Sequence, residues 1–229
     1  MDRITLIIVA MEEELQGVLN ELKDYEVIES EIGNLYSFSK SGVKYILTLG
    51  KIGKVATAFH IGKLSERYKI ERIFNVGTSG ALTDSINVGD VVVASSVIYS
   101  DVDLKEFNYE LCQMAQAPLF FAPDDNYIIF KQIDTSDLDF KVVRGLIASG
   151  DSFVSKNNYA RLPELVKDRA LCIEMESAAV AHCCYLLNIP FVIIRSISDY
   201  VLDVDNGKKM DMSMNRVCAN CAKVLLKYL

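Results

Sequence analysis

Six short runs of β-branched and apolar residues, spaced by stretches with helical periodicity, constrain this chain more than any other feature. They occupy residues 4–10, 43–50, 72–77, 90–97, 142–149 and 191–197, and several end at Gly, Ser or Asp. Runs that are apolar at nearly every position read as strands buried on both faces. That calls for helices on either side of a mostly parallel or mixed sheet, an α/β sandwich. The spacing predicts helices over residues 12–22, 55–68, 175–187 and 210–228. The third is almost wholly apolar and is expected at the centre. Residues 109–130 are the least regular, punctuated by Pro118, Pro123 and Asp124-Asp125-Asn126, and read as an excursion near an active site or a subunit contact. With 229 residues and no internal repeat, one domain is the expected organisation.

In sheets of this kind ligands sit beyond the carboxyl ends of the strands. Four such ends are therefore expected in one neighbourhood: Met11–Glu14, Gly77–Ala81, Ser149–Phe153 and Ser198–Asp199. Three of the apolar runs lead into acids, as ITLIIVAMEEE, LCIEMESAAV and PFVIIRSISD. Charges in such places must be solvated, paired or used. The run Glu12-Glu13-Glu14 suits the acidic first turn of a helix, where free N–H groups and the macrodipole favour carboxylates. Three in a row exceed that need, so one is expected to face the cleft. Gly77-Thr78-Ser79-Gly80 reads either as a plain strand-to-helix turn or as a cradle for an anion, a ribose or a carboxylate. Ser149-Gly150-Asp151-Ser152-Phe153 reads either as a loop whose ring plugs the core or as one that stacks Phe153 on a flat heterocycle. Gly50-Lys51-Ile52-Gly53-Lys54 is not a Walker loop, because its glycines are too close and Val55 follows the lysine.

Composition removes other classes. The formal charge is −7, with no dense basic stripe, which disfavours a nucleic-acid surface. No apolar run is long enough to span a membrane, and the opening MDRITLIIVAMEEE lacks a signal-peptide cleavage site. The six cysteines show no framework spacing and are expected as free thiols of a cytoplasmic protein. Cys218-Ala-Asn-Cys221 has redox spacing, yet both thiols fall on the apolar side of the last helix. His60 and His182, the only two histidines, have no acid or Cys at metal spacing, so neither a metal nor a cofactor is expected. Composition and spacing stop at an acidic cleft in an α/β protein, most naturally an enzyme that uses carboxylates.

Several segments together resemble the 5′-methylthioadenosine/S-adenosylhomocysteine nucleosidases of the nucleoside phosphorylase superfamily. They are AMEEE (10–14), GKIGKVATA (50–58), FNVGTSGAL (74–82), VGDVVVAS (88–95), RGLIASGDSFV (144–154), IEMESAAVAHCC (173–184) and NIPFVIIRSISD (188–199), in the family's order. The resemblance implies a single-domain three-layer α/β/α sandwich around a central mixed twisted sheet, covering residues 1–229. It further implies a cytoplasmic homodimer that hydrolyses the N-glycosidic bond of both thionucleosides to adenine and the 5-thioribose product. Carried over residue by residue, the ribose-binding glutamate falls on Glu176 with Met175 beside the sugar. The purine acid falls on Asp199, with Ser198 beside it, and the water-activating glutamate on Glu14. Phe153 matches the adenine-stacking aromatic, and the backbone of Phe153 and Val154 would address the purine edge. Ala10, Met11 and Ile52 would line the thioribose side, and Phe107 and Tyr109 would reach the 5′-substituent pocket across the dimer.

The residue types suit that chemistry. Adenine leaves readily only when protonated at N7, so a carboxylic acid is required there. A second carboxyl on the ribose would hold the sugar and stabilise its developing positive charge, and a third would activate water. Two departures stand out. Many bacterial members carry Gly-Ser-Ala-Gly where this chain has Gly77-Thr78-Ser79-Gly80, so Thr78 adds a methyl group beside the sugar. The segment YVLDVDNGKK after Asp199 does not follow the family pattern and bears on the 5′-wall, leaving a futalosine-type substrate open. Phosphorolysis is the enzymatic alternative, for which Lys51 and Lys54 would supply the cations. A nucleoside-binding module without catalysis is the other, and it has no use for acids on both sides of the scissile bond.

Overall fold

The computed structural model describes residues 1–229, the side chains of Ile129, Phe130, Lys209 and Met212 excepted. The irregular segment 109–130 and the divergent segment 200–209 each end on a residue outside the described side chains.

The chain alternates strands and helices in the order β1 (Arg3–Val9), α1 (Glu12–Leu19), β2 (Glu26–Ile28), β3 (Leu35–Lys40), β4 (Val43–Leu49), α2 (Lys54–Arg67), β5 (Lys69–Ala81), β6 (Val91–Tyr99), α3 (Asp125–Lys131), β7 (Val142–Ser149), α4 (Glu164–Arg169), β8 (Ala170–Glu174), α5 (Ser177–Leu187), β9 (Phe191–Tyr200) and α6 (Asn206–Tyr228). Among the described residues the sheet has nine strands, ordered β2-β3-β4-β1-β5-β8-β7-β6-β9. Strands β4, β1, β5 and β9 run parallel, as do β6, β7 and β8, while β5–β8 and β6–β9 pair antiparallel. Because β5 also pairs along β9, the strands β5, β8, β7, β6 and β9 close on one another. The expected mixed sheet is therefore an open sheet on one side and a small closed barrel on the other.

Alternation along β1 shows why both faces are covered. Ile4, Leu6 and Ile8 pack into a core with Ile61 and Leu64 of α2 and Ala178, Val180 and Ala181 of α5. Ile7 and Val9 point the other way, against Leu15 and Val18 of α1 and Val224 and Leu225 of α6. Two helix pairs thus sandwich the sheet, which gives the three layers.

The structure extends and corrects the sequence reading. Strand β5 continues to Ala81 and β9 to Tyr200, so the Gly77-Thr78-Ser79-Gly80 stretch lies inside a strand and is not a turn. Strands β2 and β3 went unpredicted because polar residues such as Glu26, Ser37 and Ser39 interrupt them. Strand β8 lies in the short LCIE run that precedes α5. Helix α6 begins at Asn206, ahead of the apolar periodicity, and α5 begins only at Ser177.

Gly17 lets α1 approach α6 closely. A Cβ there would sit 2.8 Å from Cys218 Cβ and 3.1 Å from the Cys218 backbone, neither of which can swing aside. Gly17→Ala is expected to lower the urea-unfolding free energy by about 1–3 kcal/mol, the usual cost of overpacking. Unchanged stability would show that the two helices separate without penalty.

Candidate active site

Glu14 is drawn inward by its own helix terminus. Its Oε2 accepts the N–H groups of Ala10 (2.9 Å) and Met11 (3.1 Å), which precede the first turn of α1. Its Oε1 accepts the Thr78 N–H at 2.8 Å and the Thr78 hydroxyl at 3.1 Å, from the middle of β5. Glu12 and Glu13 stay exposed, whereas Glu14 is buried. Of the acidic run, then, one member faces the cleft. Burial raises its pKa, against the nearby Arg195 charge and the backbone donors that lower it. Gly77 has to be glycine, since a Cβ would strike the Arg195 guanidinium and lie 2.7 Å from Glu14 Oε1.

Arg195 answers part of the question raised by the acids. It interrupts the apolar run of β9 and is fully buried. Its guanidinium donates to Glu174 Oε2 at 2.5 Å, to Asn75 Oδ1 and to Ser177 Oγ at 3.1 Å, and lies 3.8 Å from Glu176 Oε2. Burial opposes its charge, and Glu174, Glu176 and Glu14 more than offset that, so the guanidinium stays charged. Glu174 also accepts the N–H groups of Glu176 and Ser177, each at 3.0 Å, and so starts α5. Of the two carboxylates in LCIEMESAAV, Glu174 is committed to Arg195 and to the helix. Glu176 is left facing the cavity. The sequence reading did not include Arg195 among the site residues. Its signal was available, because a guanidinium inside an apolar strand demands a buried partner.

Glu176 Oε1 accepts the N–H of Gly53 at 2.9 Å, at a loop bent by left-handed backbone at Lys51 (φ 62°) and Gly53 (φ 96°). Burial, then the Glu174 charge, push its carboxyl up to about 8, so near neutral pH it carries a proton. Asp199 lies near the end of β9. Its Oδ1 accepts the Ser198 hydroxyl at 2.7 Å and its Oδ2 accepts the Asn206 carboxamide at 3.0 Å. Burial raises this carboxyl too, against those two hydrogen bonds.

A cavity of about 110 Å³ joins these groups; Glu14, Glu176, Asp199, Ser198, Thr78 and Phe153 line it, with Ala10, Met11, Ile52 and Met175 on the apolar side. Phe153 is 47% exposed, so its ring faces the cavity mouth and does not plug the core. Val154 is buried behind it, and its carbonyl accepts from Asn206 at 3.1 Å. At Ile52 the cavity meets a wider groove of about 960 Å³ that also touches Lys51, Val55 and Phe59. Phe107 is exposed and Tyr109 partly so, and neither lines the cavity of its own chain. Lys54 is held by Asp101 at 2.7 Å and Asp151 at 3.5 Å, which ties the 50–54 loop to the 149–153 loop. His60 bonds backbone carbonyls and His182 bonds Tyr99, both away from the cavity. Among the described residues no cluster of His, Cys, Asp and Glu is arranged to hold a metal ion.

Acids convergent on a small closed cavity at the joined ends of β1, β5, β8 and β9 define the class. The model of the phosphorylase superfamily matches residues 5–229. A 5′-methylthioadenosine/S-adenosylhomocysteine nucleosidase of Psychromonas ingrahamii is 36% identical over 218 residues, 95% of this chain and 92% of its own. Among solved structures, the nucleosidase of the same description from Colwellia psychrerythraea, in complex with adenine, has a TM-score of 0.89 at 30% identity, covering 100% of this chain and 95% of that one. That from S. pneumoniae, with the transition-state inhibitor MT-ImmA, has a TM-score of 0.89 at 33% identity, covering 100% and 98%. The chain belongs to the 5′-methylthioadenosine/S-adenosylhomocysteine nucleosidase family.

Glu14, Glu176 and Asp199 all titrate above the ordinary carboxyl range in the folded protein. The folded state therefore holds protons that the unfolded chain releases at about pH 4. The stability contributed by each group is complete below that pH and is lost as pH rises through its folded value, up to about 8 for Glu176. Urea unfolding is expected to weaken steadily from pH 5 to pH 8, and Glu176→Gln to flatten that slope. A variant with the wild-type slope would mean that Glu176 is ionised in the fold.

Proposed function

We propose that the protein is a hydrolase that cleaves the N-glycosidic bond of 5′-methylthioadenosine and S-adenosylhomocysteine, releasing adenine and the 5-thioribose product. The observation that carries this is the set of four buried carboxyls around one small cavity with an aromatic ring at its mouth; Arg195 holds Glu174, which leaves Glu14, Glu176 and Asp199 for the chemistry. Purine enters over Phe153, and Asp199, kept acidic by burial, protonates N7 so that adenine departs neutral. Glu176 donates to one ribose hydroxyl and accepts from the other, which fixes the sugar in the site. As positive charge grows on the sugar, the carboxyl oxygen lone pairs that face it stabilise that charge. Glu14 takes the proton of the attacking water, a role that suits a raised carboxyl better than an ordinary one. Met175 and Met11 pack the sugar face, and Ile52 the 5′-thio group.

Phosphorolysis fits these groups less well. Glu14 stands near the attacking face, where it repels phosphate. Of the cations nearby, Arg195 is committed to Glu174 and Lys54 to Asp101 and Asp151, and Lys51 lies on the adjoining groove and does not line the cavity itself. A 5′-substituent other than a thioether, as in futalosine, is decided at Ile52 and the groove beyond it. That groove is also where a second copy fits. Ile52, Val55, Phe59 and Phe107 are more than half exposed, an apolar surface that a homodimer would cover while Phe107 and Tyr109 close the partner's 5′-pocket. We read the chain as one domain over residues 1–229, working in the cytoplasm, where its six cysteines stay reduced.

Adenine release from methylthioadenosine is the test, in phosphate-free buffer and then with phosphate, with the sugar product identified. Free methylthioribose at a phosphate-independent rate is expected; a sugar 1-phosphate formed only with phosphate would overturn the reading. Asp199→Asn and Glu14→Gln are each expected to lower kcat by about 10²–10⁴-fold, the usual worth of a general acid or base. Wild-type turnover in either variant would remove that residue from the mechanism.

A further inference from the structure

Asn206, the first residue of α6, belongs to the segment that departs from the family pattern, and it is buried. Its carboxamide nitrogen donates to Asp199 Oδ2 at 3.0 Å and to the Val154 carbonyl at 3.1 Å. A carbonyl can only accept, so the group facing Val154 is the NH2 end of the amide, and both of its protons are used. Ser198 occupies the other carboxyl oxygen of Asp199 at 2.7 Å. The two acceptors at the purine end are thus bridged by one planar NH2 group. The exocyclic amine of a 6-aminopurine is also a planar NH2 with two donors. The two groups compete for the same acceptors.

We propose that Asn206 is a specificity residue of the purine end, whose carboxamide NH2 holds the two acceptors that a purine 6-amino group would use and is displaced by that group on binding. This rests on the assignment of Asp199 and the Val154 backbone to the purine edge. A ligand that displaces Asn206 must bring donors of its own. A 6-oxopurine presents an oxygen instead, and would leave the Val154 carbonyl facing another acceptor, the costly case for buried polar groups. The two bonds of Asn206 also oppose binding of the correct ligand, because they must break first. Met210, one turn further along α6, lines the same cavity, so displacement of Asn206 reaches the pocket wall as well.

The test is calorimetric titration of adenine into the wild-type protein and Asn206→Ala. The variant is expected to bind adenine more tightly, on the order of tenfold, since hydrogen bonds to a buried carboxyl and carbonyl no longer have to be broken. Equal or weaker binding overturns the proposal, because Asn206 would then be inert or would support the bound purine. The wild-type protein gives a second readout that does not depend on how the variant folds. The side-chain ¹⁵N–¹H pair of Asn206 is expected to shift when adenine is added and to exchange faster with solvent; an unmoved pair overturns the proposal. Adenine binding and methylthioadenosine hydrolysis with Asn206 unmoved would sink this inference alone. Loss of both in the wild-type protein would sink the purine-site reading and this inference with it.

Discussion

The buried ion pair between Arg195 and Glu174 is the interaction on which the rest of the site depends. A guanidinium taken wholly out of water is tolerable only with an anion beside it. Glu174 supplies that anion, and Glu174, Asn75 and Ser177 all accept from Nη2, each from a different element, β8, β5 and α5, whereas the buried Nε has no hydrogen-bond partner among the described residues. The pair therefore pins three elements together and fixes the start of α5, which aims Glu176 at the cavity. It also places one positive charge among several carboxyls. Glu174 takes most of it, so the burial that raises Glu176 and Glu14 is only partly offset by Arg195, and both hold protons at higher pH than ordinary acids. Replacing Arg195 would strand those carboxyls, a change that typically costs about 3–5 kcal/mol.

Closure of the sheet explains how such distant segments meet. Strand β5 is long enough to pair with β1 at its start, with β9 along its length and with β8 only at Gly80 and Ala81. That corner contact brings the end of β8, and with it Glu174 and Glu176, beside Thr78 and Asp199. An open parallel sheet would carry ligand groups only along its carboxyl edge. Here the barrel turns a β7–β8 layer of opposite direction back toward the same point. The Asp199 side and the Glu176 side of the cavity thus come from different parts of the ring, and the Lys54 ion pairs with Asp101 and Asp151 tie the loops beside them together.

Much of this was legible in the sequence, and the exceptions have physical causes. The buried strands announced themselves because burial on both faces requires continuous apolar runs; β1, β4, β6, β7, the middle of β5 and the first part of β9 were found that way. Strands β2 and β3 form a polar antiparallel edge, where that signal is missing. The Gly77–Gly80 stretch looked like a turn because glycines usually mark one. Here Gly77 is needed for the close approach of Arg195 and Glu14, an interaction between residues far apart in the chain that no local pattern reveals. Glu14, Glu176 and Asp199 were identified through resemblance, and the structure brings all three to one cavity. Arg195 and Asn206 were overlooked for opposite reasons. The first hides within an apolar strand, and the second sits in the segment where the family pattern fails.

The central claim is that burial, with the one buried guanidinium spent mainly on Glu174, leaves Glu176 protonated at neutral pH. It is tested most directly by following the ¹³C carboxyl resonance of Glu176 through a pH titration of the ligand-free protein, the signal being assigned by its loss in Glu176→Gln. The account expects a midpoint far above the ordinary glutamate range, near 8. A midpoint close to 4, the value of a solvated glutamate, would mean that Arg195 serves Glu176 as fully as Glu174, and would contradict it.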